Sequence, residues 1–247
     1  MVLKSTISLK SLINKNFLIT NLKISTQTLN IKDLISFIRL FKNDAKLYIA
    51  EKLIKDGLII ADINIEFNKK GVIKDNYSIK GFVKNGKINF SKKYDLSKIF
   101  FTFDIKKNNF NFKDMRISLN GNNFLIPQLI TEKKKNNFLI NGKLNNEIIN
   151  LSQNNINFIN KENNNLNIQE LEFGSKNSFS FEIDKKMNFK NIKIDSNFDL
   201  KKLFFFNDNK VLSKIIPKFK NNLKLINHKI YLKYDEDNLY IDGLGEF

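Results

Sequence analysis

The chain is written largely in a two-residue rhythm, in which Phe, Ile, Leu and Tyr alternate with Asn, Lys, Ser and Asp between short polar turns. Ile63, Ile65 and Phe67 interleave with Asp62, Asn64 and Glu66. The beat returns at Tyr77 and Ile79, at Phe101, Phe103 and Ile105, at Phe110 and Phe112, and at Ile117 and Leu119. It recurs at Phe179, Phe181 and Ile183, at Ile192 and Ile194, and at Leu239 and Ile241. Side chains of a strand alternate between its two faces, so each segment presents one apolar and one polar face. A sheet of such strands must cover its apolar side with another layer, close on itself, or hold something apolar against it.

Val2 to Leu12 and Phe17 to Ile24 read as opening strands divided by Asn14-Lys15-Asn16. The period then changes. Ile31, Leu34, Ile35, Ile38 and Phe41 stand at helical spacing behind Asn30, a residue suited to an N-cap, and Asn43-Asp44 restarts a second helix that carries Leu47, Tyr48 and Leu53 and stops at Asp56-Gly57. From Leu58 the strand pattern resumes. Leu58 to Phe67 ends at Asn68 to Gly71, and Asn76 to Val83 is predicted to meet Lys87 to Phe90 across an Asn85-Gly86 hairpin turn. Further strands are predicted at Ile99 to Ile105, Asn109 to Leu119, Phe124 to Leu129 and Phe138 to Leu144, with a tight turn at Asn120-Gly121. Residues 145–165, rich in Asn and Ile with weak periodicity, read as edge or loop. Strands return at Leu166 to Phe173, Ser178 to Ile183 and Met187 to Leu200. A short helix at Lys210 to Ile216 stops at Pro217, and a hairpin from Leu223 to Ile241 turns at Asp235 to Asn238. Many one-sided strands, close in sequence, predict a mainly β protein: an extended, curved antiparallel meander with a helical pair near its start and a small helix near its end. The expected divisions are opening strands in 1–30, the helical pair in 31–56, and a sheet segment over 57–247 that is expected to continue into sequence outside this chain, as a piece of a longer protein.

Composition narrows the picture. The 247 residues include 24 Phe but only 9 Gly and 2 Pro, with neither Cys nor Trp, so disulfides and thiolate metal sites are excluded. The longest apolar runs, such as Gly57 to Ala61 and Leu203 to Phe206, fall far short of the ~20 residues a membrane-spanning helix needs. A net charge of +17 invites a nucleic-acid reading. Yet only Arg39 and Arg116 supply a guanidinium fork, and the lysines are scattered among 25 acidic residues, so the charge is diffuse rather than aimed.

Catalytic chemistry is sparse. His228 is the one histidine, in Asn227-His228-Lys229, and reads as a solvated turn residue. Asp235-Glu236-Asp237 reads as a solvated hairpin tip without Ca²⁺-loop spacing, and Lys133-Lys134-Lys135 as a solvated loop. No Gly-rich phosphate loop, G-x-S-x-G or H-E-x-x-H motif occurs. Neither an enzyme, a cofactor nor a metal is expected.

The stretch from Ala45 to Phe90 resembles the AsmA-like proteins of Gram-negative envelopes, of the YhdP and TamB type. The resemblance rests on Leu47-Tyr48-Ile49 and Leu53 before Gly57, on Ala61 to Ile65 with a polar turn ending at Gly71, and on Asn76 to Val83 followed by Ile88-Asn89-Phe90. Asn120 to Pro127 and Asn137 to Leu144 look like further strands of the same sheet. The resemblance implies a gutter-like sheet whose apolar interior carries phospholipid acyl chains between inner and outer membranes. It places the protein in the periplasm, held to the inner membrane by an anchor outside this chain, with no catalytic residues. The positions from Ile63 to Ile194 named above would line that groove. An envelope scaffold that packs its one-sided sheet on another protein is the alternative expectation, and nucleic-acid binding a weaker one.

Overall fold

The computed structural model describes residues 2–7, 19–41, 45–91, 94–151, 166–184, 186, 188–207, 222–236 and 238–246. The chain is mainly β. Its elements are β1 (Val2–Ile7), β2 (Ile19–Ser25), β3 (Leu29–Asn30), helices α1 (Ile31–Phe41) and α2 (Ala45–Leu53), β4 (Ile54–Glu66), β5 (Ser78–Ser91), β6 (Tyr94–Lys106) and β7 (Asn109–Leu119). They continue with β8 (Asn122–Lys133), β9 (Asn137–Leu151), β10 (Leu166–Asp184), β11 (Phe189–Asn207), β12 (Asn222–Asp235) and β13 (Asn238–Glu246). Hydrogen bonding runs in chain order as one 13-stranded antiparallel sheet that does not close into a barrel, with β3 joined to β4. Contacts divide the chain into two compact units, 1–142 with 182–188, and 143–181 with 189–247.

Local chemistry accounts for the helical pair. Asn30 caps α1, its Oδ1 accepting the Lys32 amide hydrogen at 2.8 Å, as the N-cap reading expected. Glu51 of α2 reaches back to α1, accepting from the Ser36 hydroxyl at 2.6 Å and pairing with Arg39, whose guanidinium also lies over the Tyr48 ring at 5.0 Å. The helix ends at Leu53 and β4 begins at Ile54, before the predicted stop at Asp56-Gly57. The Asn43-Asp44 restart and the Lys210 to Ile216 helix lie outside the described residues.

Two turns are where the sequence put them. Asn120 and Gly121, at φ 49° and 86°, close a two-residue link between Leu119 and its partner Asn122, as a type I′ hairpin requires. Asp235 pairs with Asn238 at the final hairpin. Three expectations are corrected. Asn85-Gly86 is no hairpin; β5 passes straight through it. Leu166 to Phe173 and Ser178 to Ile183 are one continuous strand, β10, and β9 runs on to Leu151, into the segment read as edge or loop.

Asn85 belongs to a line of insertions that crosses the first unit. Val83 pairs with Phe101 and Gly86 with Ile99, so Lys84 and Asn85 together oppose Phe100. On the next ladder Lys113 pairs with Thr102 and Arg116 with Phe100, so Asp114 and Met115 oppose Phe101, and Lys98 with Ile99 then opposes Ile117. In β4 the extra residue is Lys55, since Ile54 and Asp56 pair with the consecutive Ile88 and Lys87, and Gly57 alone opposes Asn85 and Gly86. Gly57, Asn85, Lys98 and Asp114 all have positive φ, at 145°, 55°, 51° and 52°. Lys55, Asn85, Lys98 and Asp114 each belong to a β-bulge, which reverses the alternation of its own strand once and bends it. Because the bulges stand side by side, the ladders recover their register beyond them. The consequence is visible in β7, where Phe110 and Phe112 occupy even positions and Ile117 and Leu119 odd ones, yet all four share a face.

Lys98 holds a left-handed conformation that costs an L-residue about 1–2 kcal/mol, and its side chain is exposed. Lys98→Val, whose β-branched side chain tolerates this conformation less well than lysine, should lower stability in urea unfolding, while Lys98→Gly should leave it unchanged or higher, the relieved strain offsetting the entropy of the added glycine.

Candidate apolar binding face

The register assembles the face of the first unit row by row. Ile24, Ile63, Ile79, Ile105, Phe110 and Thr131 lie side by side across six strands. The next row is Ala61, Gly81, Phe103, Phe112 and Leu129, and the next Leu29, Ile59, Val83 and Phe101. Beyond the bulges the same face continues through Ile88, Leu96 and Leu119, with Met115 opposite Ile126 and Ile117 opposite Phe124. Ile65 shares this side by alternation. Phe67 lies just past β4, bridged to Ile73, and Tyr77 just before β5, its hydroxyl donating to the Lys107 carbonyl at 3.2 Å.

Packing is densest around Ala61, Val83 and Phe103, all buried, with Ile31 of α1 and the half-buried Ile59, Ile79, Phe101, Ile105 and Phe112 against them. Phe101 meets the Phe112 ring edge-on at 5.7 Å and the Phe103 ring at 6.1 Å. Gly81 makes this possible. A Cβ there would lie 2.8 Å from Phe103 Cζ and 2.1 Å from the Ile60 carbonyl oxygen, so the Phe103 ring occupies the space a side chain would need. Helix α1, through Ile31 and the buried Ile35, covers the face beside β4, and the rings of Phe110 and Phe112 remain half-buried.

The opposite face carries the charged residues, with Ile60, Phe82, Phe100, Leu125 and Ile130 among them. Asp62, Lys80, Asp104 and Asn111 form one row, with Lys80 3.6 Å from Asp104, and Glu66 pairs with Asn21, which donates to Asn64 at 2.9 Å. Hydrogen bonds from Asn76 and Lys74 hold the Glu66 carboxyl below its ordinary pKa.

In the second unit Ile194 pairs with Tyr234, Phe198 with Ile230, and Leu200 with His228; across β12 and β13, Ile230, Leu232 and Tyr234 pair with Gly243, Ile241 and Leu239. Ile192 shares the side of Ile194 by alternation. Phe173 adds its ring to Phe198 at 6.1 Å, and Phe179 stacks on Phe181, which meets Phe189 at 5.4 Å. Ser180 points away from both its phenylalanine neighbours. Ile183 belongs to the part of β10 that groups with the first unit.

Two features of this unit escaped the sequence reading. A cavity of about 530 Å³ is lined by Phe198, Ile230 and Gly243 together with Ser175, Lys176 and Glu147. His228 is also not a solvated turn residue: it is buried within β12, its Nδ1 2.9 Å from the Ile226 carbonyl oxygen. Its ring lies on the backbone of Gly245, where a Cβ would stand 2.1 Å from it. The turn signal was Asn227, which instead takes up a bulge at φ 53°. On the polar side Tyr231 donates to Asp195 at 2.8 Å, which raises the phenol's pKa.

Among the described residues no cluster of three or more acidic or histidine side chains could hold a metal, and no helix is long and apolar enough to cross a membrane. Comparison with family models, with curated proteins and with solved structures finds no match.

The helical cover is pH-sensitive. Hydrogen bonding from Ser36, then from Arg39 with its charge, holds the Glu51 carboxyl below its ordinary pKa. A depressed carboxylate stabilises the fold above its unfolded pKa, and that contribution is lost as pH falls through the folded value. Glu51→Gln should lower the melting temperature at neutral pH, and the gap from wild type should narrow as pH falls through the folded value of the Glu51 carboxyl. A gap that does not change with pH would contradict this role.

Proposed function

We propose that the apolar face of the first unit binds the acyl chains of phospholipid, and that the protein works without catalysis as a lipid-carrying segment of a cell envelope. The observation that carries this reading is the run of apolar rows from Ile63 to Leu129, placed on one side of successive strands while the charged residues take the other. Burial of a methylene group is worth about 0.8 kcal/mol, so an acyl chain laid across Ile105, Phe110 and Phe112 gains several kcal/mol without any directional contact. Such contacts discriminate poorly between chains, which suits a carrier better than a selective receptor. The passage between inner and outer membranes, the periplasmic setting and the anchor are taken from the AsmA-like resemblance.

The test is site-specific photo-crosslinking in cells. A photoreactive residue at Phe110 or Phe112 should capture phospholipid, and one at Asn64 or Asn111 should not. Phe112→Asp, which sets a carboxylate in the lipid's path, should abolish capture from position 110 while the purified sheet keeps its circular dichroism. Capture of protein instead of lipid at the apolar positions would replace the carrier with an envelope scaffold.

A further inference from the structure

Val72 and Ile73, neighbours in the link between β4 and β5, are 58% and 52% exposed. The link that displays them is built by its own hydrogen bonds. Asn68 Oδ1 accepts the amide hydrogens of Lys70 at 2.9 Å and Val72 at 3.1 Å, the Asn68 amide donates to the Val72 carbonyl at 2.9 Å, and Gly71 turns the chain at φ 77°. Ile73 is bridged to Phe67. Alternate turns of an antiparallel sheet fall at the same end, so the links that follow β4, β6 and β8 stand together. They share a cleft of about 620 Å³ lined by Asp75 and Tyr77, Lys107 and Asn108, and Lys133 and Lys134. The Lys133 amide donates to the Asn108 carbonyl at 2.7 Å. Charge that is scattered in the sequence is gathered here by the fold. Three lysines have acidic partners: Lys74 with Glu66, Lys107 with Asp75 and Lys134 with Glu132. Among the described residues Lys69, Lys70, Lys106, Lys133 and Lys135 have none, and all five are exposed.

We propose that this end of the first unit docks on an anionic lipid bilayer, with Val72 and Ile73 entering the interface and the five unpaired lysines meeting the phosphate headgroups. Attraction to an anionic surface is worth ~5-fold in affinity for each lysine brought to it. The apolar pair then anchors what the charge attracts, since firm attachment to a membrane takes two signals. The link already holds its shape, so docking spends little entropy on ordering it. Nucleic acid suits this end less well, because lysine lacks the guanidinium fork and the apolar pair would be set against phosphate. Ile79, Ile105 and Phe110 lie one residue inside Ser78, Lys106 and Asn109, so docking brings the end of the apolar face to the bilayer. It does not require that face to hold an acyl chain.

Flotation of the 247-residue chain with lipid vesicles tests it. The protein should float with vesicles of mixed phosphatidylglycerol and phosphatidylcholine but not of phosphatidylcholine alone, and high salt should release it. Lys133→Glu with Lys135→Glu should weaken binding ~10-fold or more. Lys84→Glu with Lys113→Glu, an equal change in net charge at exposed mid-strand lysines, should weaken it by less than ~3-fold. Phe112→Asp should leave flotation unchanged, which separates docking from acyl binding. Since the chain has no tryptophan, Val72→Trp supplies a single reporter, whose emission should shift to the blue and be quenched by brominated lipid; Leu125→Trp should do neither. Absence of flotation, equal loss from the two lysine pairs, or a Val72→Trp reporter that vesicles leave unchanged would overturn the proposal. Tighter binding to duplex DNA than to vesicles, insensitive to Val72→Asp, would overturn it in favour of nucleic acid.

Discussion

Everything in this molecule depends on the phase of side-chain alternation. In a one-sided sheet a slip of one residue moves every apolar group of a strand to the polar face, so phase must be held along the strand and across its neighbours. Long strands make this harder, because a register error at one end propagates to the other. The first unit holds phase with bulges at Lys55, Asn85, Lys98 and Asp114, placed so that each strand's reversal is matched by the next. Without the Asp114 bulge, Met115, Ile117 and Leu119 would lie on the face of Lys113, and Arg116 would enter the apolar face.

The same constraint links packing to function. Only seven large or small apolar side chains are buried among the described residues, and three of them, Ala61, Val83 and Phe103, form a single cluster beneath α1. Most of the apolar face is therefore half-buried, screened by its own neighbours in the sheet rather than by a second layer. Such a surface has hydrophobic free energy still to gain, which the proposed acyl chain would supply. Gly81 carries the argument down to one residue. By leaving its side-chain space to the Phe103 ring, it lets the aromatic row lie close to the sheet.

Much of this was legible in the sequence, because a period of two survives even in an Asn- and Lys-rich chain. The open antiparallel sheet, the Asn30 cap, the Asn120-Gly121 turn and the final hairpin all follow from short-range chemistry that tertiary context did not override. What misled was residues suited to left-handed backbone. Asn85-Gly86 and Asn227 can serve a turn or a bulge equally well, and only the pairing partner decides which, so a hairpin and a turn histidine were read where strands run through. The face of β7 was legible only in part. Its even phenylalanines and odd aliphatics contradict each other until Asp114 is known to be an insertion. The cavity in the second unit and the burial of His228 depend on which strands lie alongside, which local pattern does not encode.

The central claim is that residues on both sides of the bulge line belong to one acyl-binding face. Isotope-edited nuclear Overhauser spectroscopy of the labelled protein with a short-chain phospholipid tests it most directly. The account predicts transfer from acyl methylene protons to Ile105, Phe112 and Met115, and none to Thr102 or Leu125 on the opposite face. Transfer to both faces alike, or to Phe112 without Met115, would contradict it.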